Sequence, residues 1–215
     1  REQAMIRTAR HLWVTAAGLL LAACASAPLH YYTLVAPADE SAGGLVAPAA
    51  GASVAPSLPF ELLPVGVPAQ VDQPQLVVRE GGQGVALLDG ERWIAPLGDE
   101  IRGALSADLA RDLHSQDLSG QPGNGKPRLR IKLDLRRFDS QPGSYALIEG
   151  SWSVRLLQGN HPAALVCTSL VSEAVGPGYE ALVAGHQRAL GQLATQIAAV
   201  ARALGNGQAA SCPAP

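Results

Sequence analysis

Arg128-Leu129-Arg130-Ile131-Lys132-Leu133-Asp134-Leu135-Arg136 is the cleanest alternation in this 215-residue chain. Leu129, Ile131, Leu133 and Leu135 fall on one side of an extended backbone. Arg128, Arg130, Lys132, Asp134 and Arg136 fall on the other. A period of two with one apolar and one charged side predicts a strand with one wet face, as in an antiparallel sheet; strands of parallel sheets are apolar on both sides. Downstream, Pro142-Gly143 signals a turn, and Tyr145 to Leu157 alternates again, with Ala146, Ile148, Trp152, Val154 and Leu156 on the core side. Gly159-Asn160 predicts another turn into a third strand, Ala164 to Val175.

Two helical patterns flank this meander. Leu97, Ile101, Leu105, Leu109 and Leu113 recur every fourth residue behind Pro96, with Asp99 and Glu100 in the first turn, where the helix dipole accounts for them. A second stripe (Leu182, Val183, Leu190, Leu193, Ile197, Val200, Leu204) predicts a helix from about Gly178 to Leu204, stopped by Gly205-Asn206-Gly207. Upstream, His30 to Val35 reads as a first short strand. Phe60, Leu62 and Leu63 lead into Val65 and Val67, and Gln75 to Arg79 and Val85 to Leu88 flank Gly81-Gly82-Gln83-Gly84, with Asp89-Gly90 as a further turn signal. The expected architecture is α+β: an antiparallel β-sheet packed against two amphipathic helices in a single domain.

The N-terminal region carries a different pattern. Arg7, Arg10 and His11 precede the apolar run Leu12 to Leu21, which is the length of a secretory signal and too short to span a bilayer. Leu21-Ala22-Ala23-Cys24 closes it as a lipobox, whose Cys24 thiol accepts a diacylglycerol and whose freed amine accepts an N-acyl chain. An ordinary signal peptide with an accidental cysteine, or a buried apolar helix, is the competing account. Met5 is the expected start, and Ala25 after the lipidated cysteine favours the periplasmic leaflet of the outer membrane. Expected boundaries are a signal peptide over 1–23, a lipid anchor and short tether over 24–30, a folded domain over 31–205 and a disordered tail over 206–215. The Ala-, Gly-, Ser- and Pro-rich stretch 37–58 within the domain has too little apolar surface to offset its ordering entropy and is expected to be flexible.

Charge and cysteines narrow the class. The whole chain carries 16 basic and 18 acidic residues; removing the segment before Cys24 takes three arginines and one glutamate, leaving 13 against 17. A mature chain of net charge −4 without a basic stripe is a poor nucleic-acid binder. Cys167 and Cys212 remain after Cys24 is lipidated, and in an oxidising compartment they form either one disulfide or two unpaired thiols.

Reactive motifs are scarce. Gly120 to Lys126 has the glycine and lysine spacing of a phosphate-binding loop, but Pro127 stands where Ser or Thr would hold magnesium, and a strand follows where a helix is needed. His11, His30, His114, His161 and His186 offer no pair at metal spacing, and His186 beside the apolar stripe reads as a hydrogen-bonded packing residue. No Gly-x-Ser-x-Gly elbow occurs. The basic side of the 128–136 strand is by default a solvated sheet face, with an acidic protein or a lipid headgroup as the alternative ligand. No enzyme, metal or soluble cofactor is expected.

Val71-Asp72-Gln73-Pro74-Gln75-Leu76-Val77-Val78-Arg79, followed by Glu91-Arg92-Trp93-Ile94-Ala95-Pro96-Leu97, resembles the ABC-type transport auxiliary lipoprotein (PqiC-like) family, as do Tyr31-Tyr32-Thr33-Leu34 soon after the lipobox and the long C-terminal helix. The resemblance runs from Tyr31 to about Leu204. Pro74, Arg79, Trp93 and Leu97 match motif positions, and packing and turn formation account for Pro74 and Trp93 more simply than partner contact does. The resemblance implies a non-enzymatic outer-membrane subunit of an intermembrane lipid transport system, docking a periplasmic MCE-domain protein (PqiB-like) and maintaining envelope integrity. A homo-oligomeric ring at the tunnel end is one arrangement it admits. An outer-membrane assembly or cell-wall synthase cofactor lipoprotein is the alternative; a lipid-anchored hydrolase lacks a nucleophile and base. Replacing Cys24 with Ala should leave the fold intact and abolish function in cells; full complementation by the soluble periplasmic form would refute the tethering role.

Overall fold

The computed structural model describes residues 28–37, 57–123, 125–157 and 163–214. The lipobox Leu21–Cys24, the turn at Gly159-Asn160, His11, His161 and all but the ends of the 37–58 insertion lie outside the described residues. In chain order the elements are β1 (His30–Tyr32), β2 (Phe60–Leu62), β3 (Gln75–Gly81), β4 (Gly84–Trp93), α1 (Leu97–Leu113), β5 (Arg128–Gln141), β6 (Tyr145–Leu157), β7 (Ala164–Ala174) and α2 (Tyr179–Gly205). They form two sheets, β1-β4-β3 and β2-β5-β6-β7, around one main core, with a small satellite cluster of Val78, Ala146, Val175 and Leu182. The fold is α+β and single-domain.

Strand β5 is the alternating segment, five residues longer than its clean pattern. Leu129, Ile131 and Leu133 are fully buried and Leu135 nearly so. At Arg136 the ladder slips: Leu135 pairs with Gly150, but Arg137 pairs with Glu149, leaving Arg136 as the extra residue of a bulge. Side-chain parity therefore inverts. Phe138 and Ser140 turn inward, while Arg137 and Asp139 turn out. Gly150 sits opposite because a Cβ there would meet the Leu135 and Leu133 side chains and the Asp134 carbonyl at about 3.0–3.1 Å.

The β5–β6–β7 meander is antiparallel, as the alternation requires. The short outer strands are parallel: β1 pairs with β4, and β2 pairs with β5. Each has only three residues, so no periodicity could state its direction. Phe60–Leu62 thus joins the meander's edge instead of forming a hairpin. Asp89-Gly90 does not turn the chain either. Gln75 pairs with Arg92 and Leu76 with Leu88, so residues 89–91 bulge out of β4 and the strand continues to Trp93.

Both helices bury the predicted stripes. Leu97, Ile101, Leu105, Leu109 and Leu113 of α1 are at most 1% exposed, each burial contributing about 1.5–3 kcal/mol. On α2, Gly185 allows close approach to the sheet, since a Cβ there would lie 2.2 Å from Val175 Cγ1. Thr195 Oγ1 donates to the Asp112 carboxylate (3.0 Å) and Arg202 Nη1 to the Asp112 carbonyl (2.9 Å), joining the helices. Glu100 is doing more than facing a helix dipole. It is buried, and its Oε2 accepts from Thr33 Oγ1 and the Leu34 amide, both at 2.8 Å, which fastens the chain leaving β1 to the start of α1.

Residues 206–214 contain no helix or strand, yet the tail expected to be disordered is tied down. Cys212 Sγ is bonded to Cys167 on β7 (2.07 Å, Cα–Cα 5.5 Å), directly across the ladder from buried Trp152. Closing this 45-residue separation restricts the unfolded chain by about 2–4 kcal/mol. Denatured, unreduced mature protein should therefore titrate no thiol, and Cys212→Ser should lower unfolding free energy by about 2–4 kcal/mol in urea titration.

Candidate functional site

The two motif segments meet at the end of the small sheet. Pro74 precedes β3, and its carbonyl accepts the Trp93 amide at 2.9 Å, so the end of β4 is pinned beside the start of β3. The Ile94 amide donates to the Tyr32 carbonyl (2.9 Å), extending the β1 pairing by one residue. Trp93 is 6% exposed and packs edge-on against Phe138, with ring centroids 6.1 Å apart. Leu97 is buried at the first turn of α1. Above them lies a surface groove of about 390 Å³ lined by Asp72, Gln73, Pro74 and the run Trp93–Leu97. Its wall is apolar, Ile94 is 61% exposed, and its polar groups are the side chains of Asp72 and Gln73. Such a lining suits an apolar side chain; Asp72 is its one titratable group, and no Ser, Cys, His or Lys stands beside it.

Arg79, the fourth motif residue, lies elsewhere. It points from β3 into a second cleft of about 250 Å³ between the β3–β4 hairpin and the bulged half of β5. Arg79 Nη2 donates to both Asp139 oxygens (3.1 and 3.2 Å), and Arg137 Nη2 donates to Asp139 Oδ2 (2.7 Å). Burial alone would raise the Asp139 pKa, but the hydrogen bonds from Arg137 and Arg79 outweigh it and hold the carboxyl below its ordinary value. This shared carboxylate joins the two sheets.

The basic side of β5 is mostly neutralised. Glu61 of β2 stands beside Arg130 in the parallel ladder and pairs with both Arg130 and Arg128, and Lys132 pairs with Asp134 at 2.8 Å. Near the chain's start, Glu91 accepts from Tyr32 Oη (2.7 Å) and contacts His30 Nδ1 (3.0 Å). Burial first, then the Glu91 hydrogen bond, pushes the Tyr32 phenol up to about 12.

One serine–histidine pair exists among the described residues, and sequence order gave no hint of it. Ser140 Oγ lies 2.8 Å from His186 Nε2. His186 is fully buried, and its ring stacks on Phe138 at 3.9 Å. Its Nδ1 has no hydrogen-bond partner, so no carboxylate orients the ring as a nucleophile–base pair requires. Ser140 is itself 5% exposed. The pair is a packing device. Desolvation drives the His186 pKa from 6.5 down to about 3.

Among the described residues no group of three His, Cys, Asp or Glu side chains could hold a metal, and no helix is long and apolar enough to cross a membrane. The glycine-rich loop around Gly120 and Gly123 runs between α1 and β5 with no helix N-terminus after it.

An α+β domain with a largely apolar groove and, among the described residues, no metal cluster and no oriented nucleophile–base pair is the class these features define. The chain belongs to the family of ABC-type transport auxiliary lipoprotein components, whose family model matches residues 44–198. Solved structures share the fold at low identity. One, a crystal structure of an uncharacterized protein, is 17% identical with a TM-score of 0.57, covering 80% of this chain and 98% of its own. Another, a DUF330 protein from Xanthomonas campestris, is 18% identical with a TM-score of 0.52, covering 70% and 87%. No curated protein matches the chain.

The buried histidine generates a pH prediction. The unfolded chain binds a proton at His186 below about pH 6.5, whereas the folded chain refuses it until about pH 3. Stability contributed by the neutral ring is thus complete above pH 6.5 and declines as pH falls through this window, by up to about 1.4 kcal/mol per pH unit. His186→Gln, which keeps a partner for Ser140 but does not titrate, should remove most of the decline between pH 6.5 and 4.5 in urea unfolding. Equal slopes in the two proteins would refute it.

Proposed function

We propose that this chain is a non-enzymatic outer-membrane lipoprotein subunit of an MCE/ABC-type system that moves lipid between membranes, held by acyl chains on Cys24 and docking a periplasmic MCE-domain protein. Membership of the transport auxiliary family supports the coarse part of this reading. Ala25 beside Cys24 supports export to the outer membrane. The observation that carries the docking role is the motif groove. Residues 72–74 and 93–97, parts of the two family-like segments, are brought together by the Trp93–Pro74 bond into one largely apolar groove without a nucleophile. A catalytic set would converge on a nucleophile; these residues converge on a wall. The domain would act by position, presenting a rigid recess to its partner.

A photo-crosslinking amino acid at Gln73, on the groove rim, tests this in native membranes of cells carrying the full chain. The expected adduct contains a periplasmic MCE-domain protein, recovered with the outer-membrane fraction. Adducts with a barrel-assembly protein or a peptidoglycan synthase in its place would overturn the assignment and establish the assembly-cofactor role. Ala25→Asp should move the protein to the inner-membrane fraction and deplete the adduct.

A further inference from the structure

The outer face of the β1–β4–β3 sheet is only partly covered: its Val77–Arg79 corner lies against the bulged half of β5 across the Arg79 cleft, and the rest carries no further layer. Leu29 and Tyr31 lie two residues apart and are 48% and 55% exposed. On β4, Val85 and Leu87 are 54% and 51% exposed. Register places these groups on one side: Tyr31 lies opposite Arg92, Arg92 opposite Gln75, Leu87 opposite Val77 and Val85 opposite Arg79. The reverse side of the same strands carries Leu76, Val78 and Trp93, all buried in the core. Four exposed large apolar residues on one small sheet form a patch; Val166 and Leu170 on β7, 70% and 56% exposed, are a second, smaller pair on the other sheet. Arg92 lies within the four-residue patch, and Arg136 lines the cleft at its edge; among the described residues neither is ion-paired to a carboxylate.

The chain's own course says what lies opposite. Cys24 precedes Leu29 by five residues, which reach at most about 18 Å when fully extended. A compact domain of this length is about 40 Å across. A cysteine whose acyl chains are in a bilayer therefore cannot be reached from the far side of the domain, and the side on which the chain enters, at Leu29 and Tyr31, must face the membrane. We propose that the outer face of the β1–β4–β3 sheet rests on the phospholipid surface of the membrane in which the chain is anchored. Leu29, Tyr31, Leu87 and Val85 enter the headgroup–acyl boundary, and Arg92 and Arg136 meet lipid phosphates. The inference rests on lipidation of Cys24; it adds an orientation that the anchor alone does not specify.

Nitroxide labels on the mature lipidated protein in phosphatidylethanolamine–phosphatidylglycerol vesicles test the orientation. Tyr31→Cys and Leu87→Cys report the proposed face, and Thr168→Cys, exposed on β7 between Val166 and Leu170, reports the rival apolar face, each labelled with the native disulfide intact. Labels at 31 and 87 should be relaxed more by oxygen than by a water-soluble nickel chelate, with nickel access at least about fivefold below that at 168. Flotation with the vesicles and the mass of the lipidated N-terminal peptide report the anchor separately. Protein that floats with labels at 31 and 87 as nickel-accessible as that at 168 overturns the orientation and leaves the anchor standing. Protection that arises only when a periplasmic partner protein is added also overturns it. Leu29→Asp combined with Val85→Ser, which adds no charge beside Arg79, should raise nickel access at 87 while melting temperature and flotation stay unchanged, because the two side chains are 48% and 54% exposed.

Discussion

Much of this structure depends on one extra residue in one strand. Before Arg136, β5 buries its odd-numbered side chains; after it, β5 buries the even-numbered ones. Strict alternation would have carried Arg137 and Asp139 into the core and turned Phe138 out. Burying an unpaired charge costs far more than the roughly 1.5–3 kcal/mol that burying a phenylalanine contributes. The bulge resolves that conflict and, in doing so, divides the strand's work. Its first half closes the four-stranded sheet over α1 and α2. Its second half offers Phe138 to Trp93 and Asp139 to Arg79, and so receives the other sheet. A fold with two sheets and one main core follows from that change of parity.

The bulge also separates what could be read in the sequence from what could not. Helix stripes and the first half of β5 carry their period over many residues, so both helices, β6 and β7 follow the written pattern closely. Beyond Arg136 the residues Arg137 to Gln141 have no legible alternation, because the period restarts one residue late. Three-residue strands such as His30–Tyr32 and Phe60–Leu62 are too short to carry a direction. Asp89-Gly90 has turn chemistry, but a hairpin turn and a three-residue bulge ask the same thing of the backbone locally; only the pairing of Trp93 with Tyr32 decides between them. Glu100 looked like one of two acids at a helix start. Its bonds to Thr33 and Leu34 span more than 60 residues of sequence, a separation over which local patterning carries no information.

The candidate site was legible in a different way. Pro74, Trp93 and Leu97 were singled out by motif order alone, and the fold assembles them around one groove, with Arg79 in the neighbouring cleft. Their individual roles are structural: a carbonyl that fixes β4, an indole wedged on Phe138, a leucine that starts α1. A groove surface follows from those packing roles, because Pro74, Trp93 and Leu97 hold Ile94 and Gln73 in place at the rim. The Ser140–His186 pair makes the opposite case. It has the composition of a catalytic dyad, but its ring is sealed from solvent, lacks an orienting acid and is kept neutral by desolvation. Its residue types are those of a dyad; access and protonation disqualify it, and the packing role read for His186 from its place beside the stripe is the one it has.

Strand β4 links the two surfaces on which this domain would act. Arg92 belongs to the uncovered sheet face, while the next residue, Trp93, points through the sheet to the core and lines the groove. Successive side chains of a strand point to opposite faces, so one peptide bond fixes how the groove is turned relative to that face. Pairing on both sides of β4, to β1 and to β3, together with the Glu100 bonds to the chain beyond β1, leaves little freedom for either surface to move alone. With Cys24 lipidated as proposed, a tether only a few residues long before β1 would do more than retain the protein. By limiting which side approaches the membrane, it would set the direction in which the groove opens, making anchoring and partner presentation one geometric constraint. A long, compliant leash would retain the domain equally well and lose that direction.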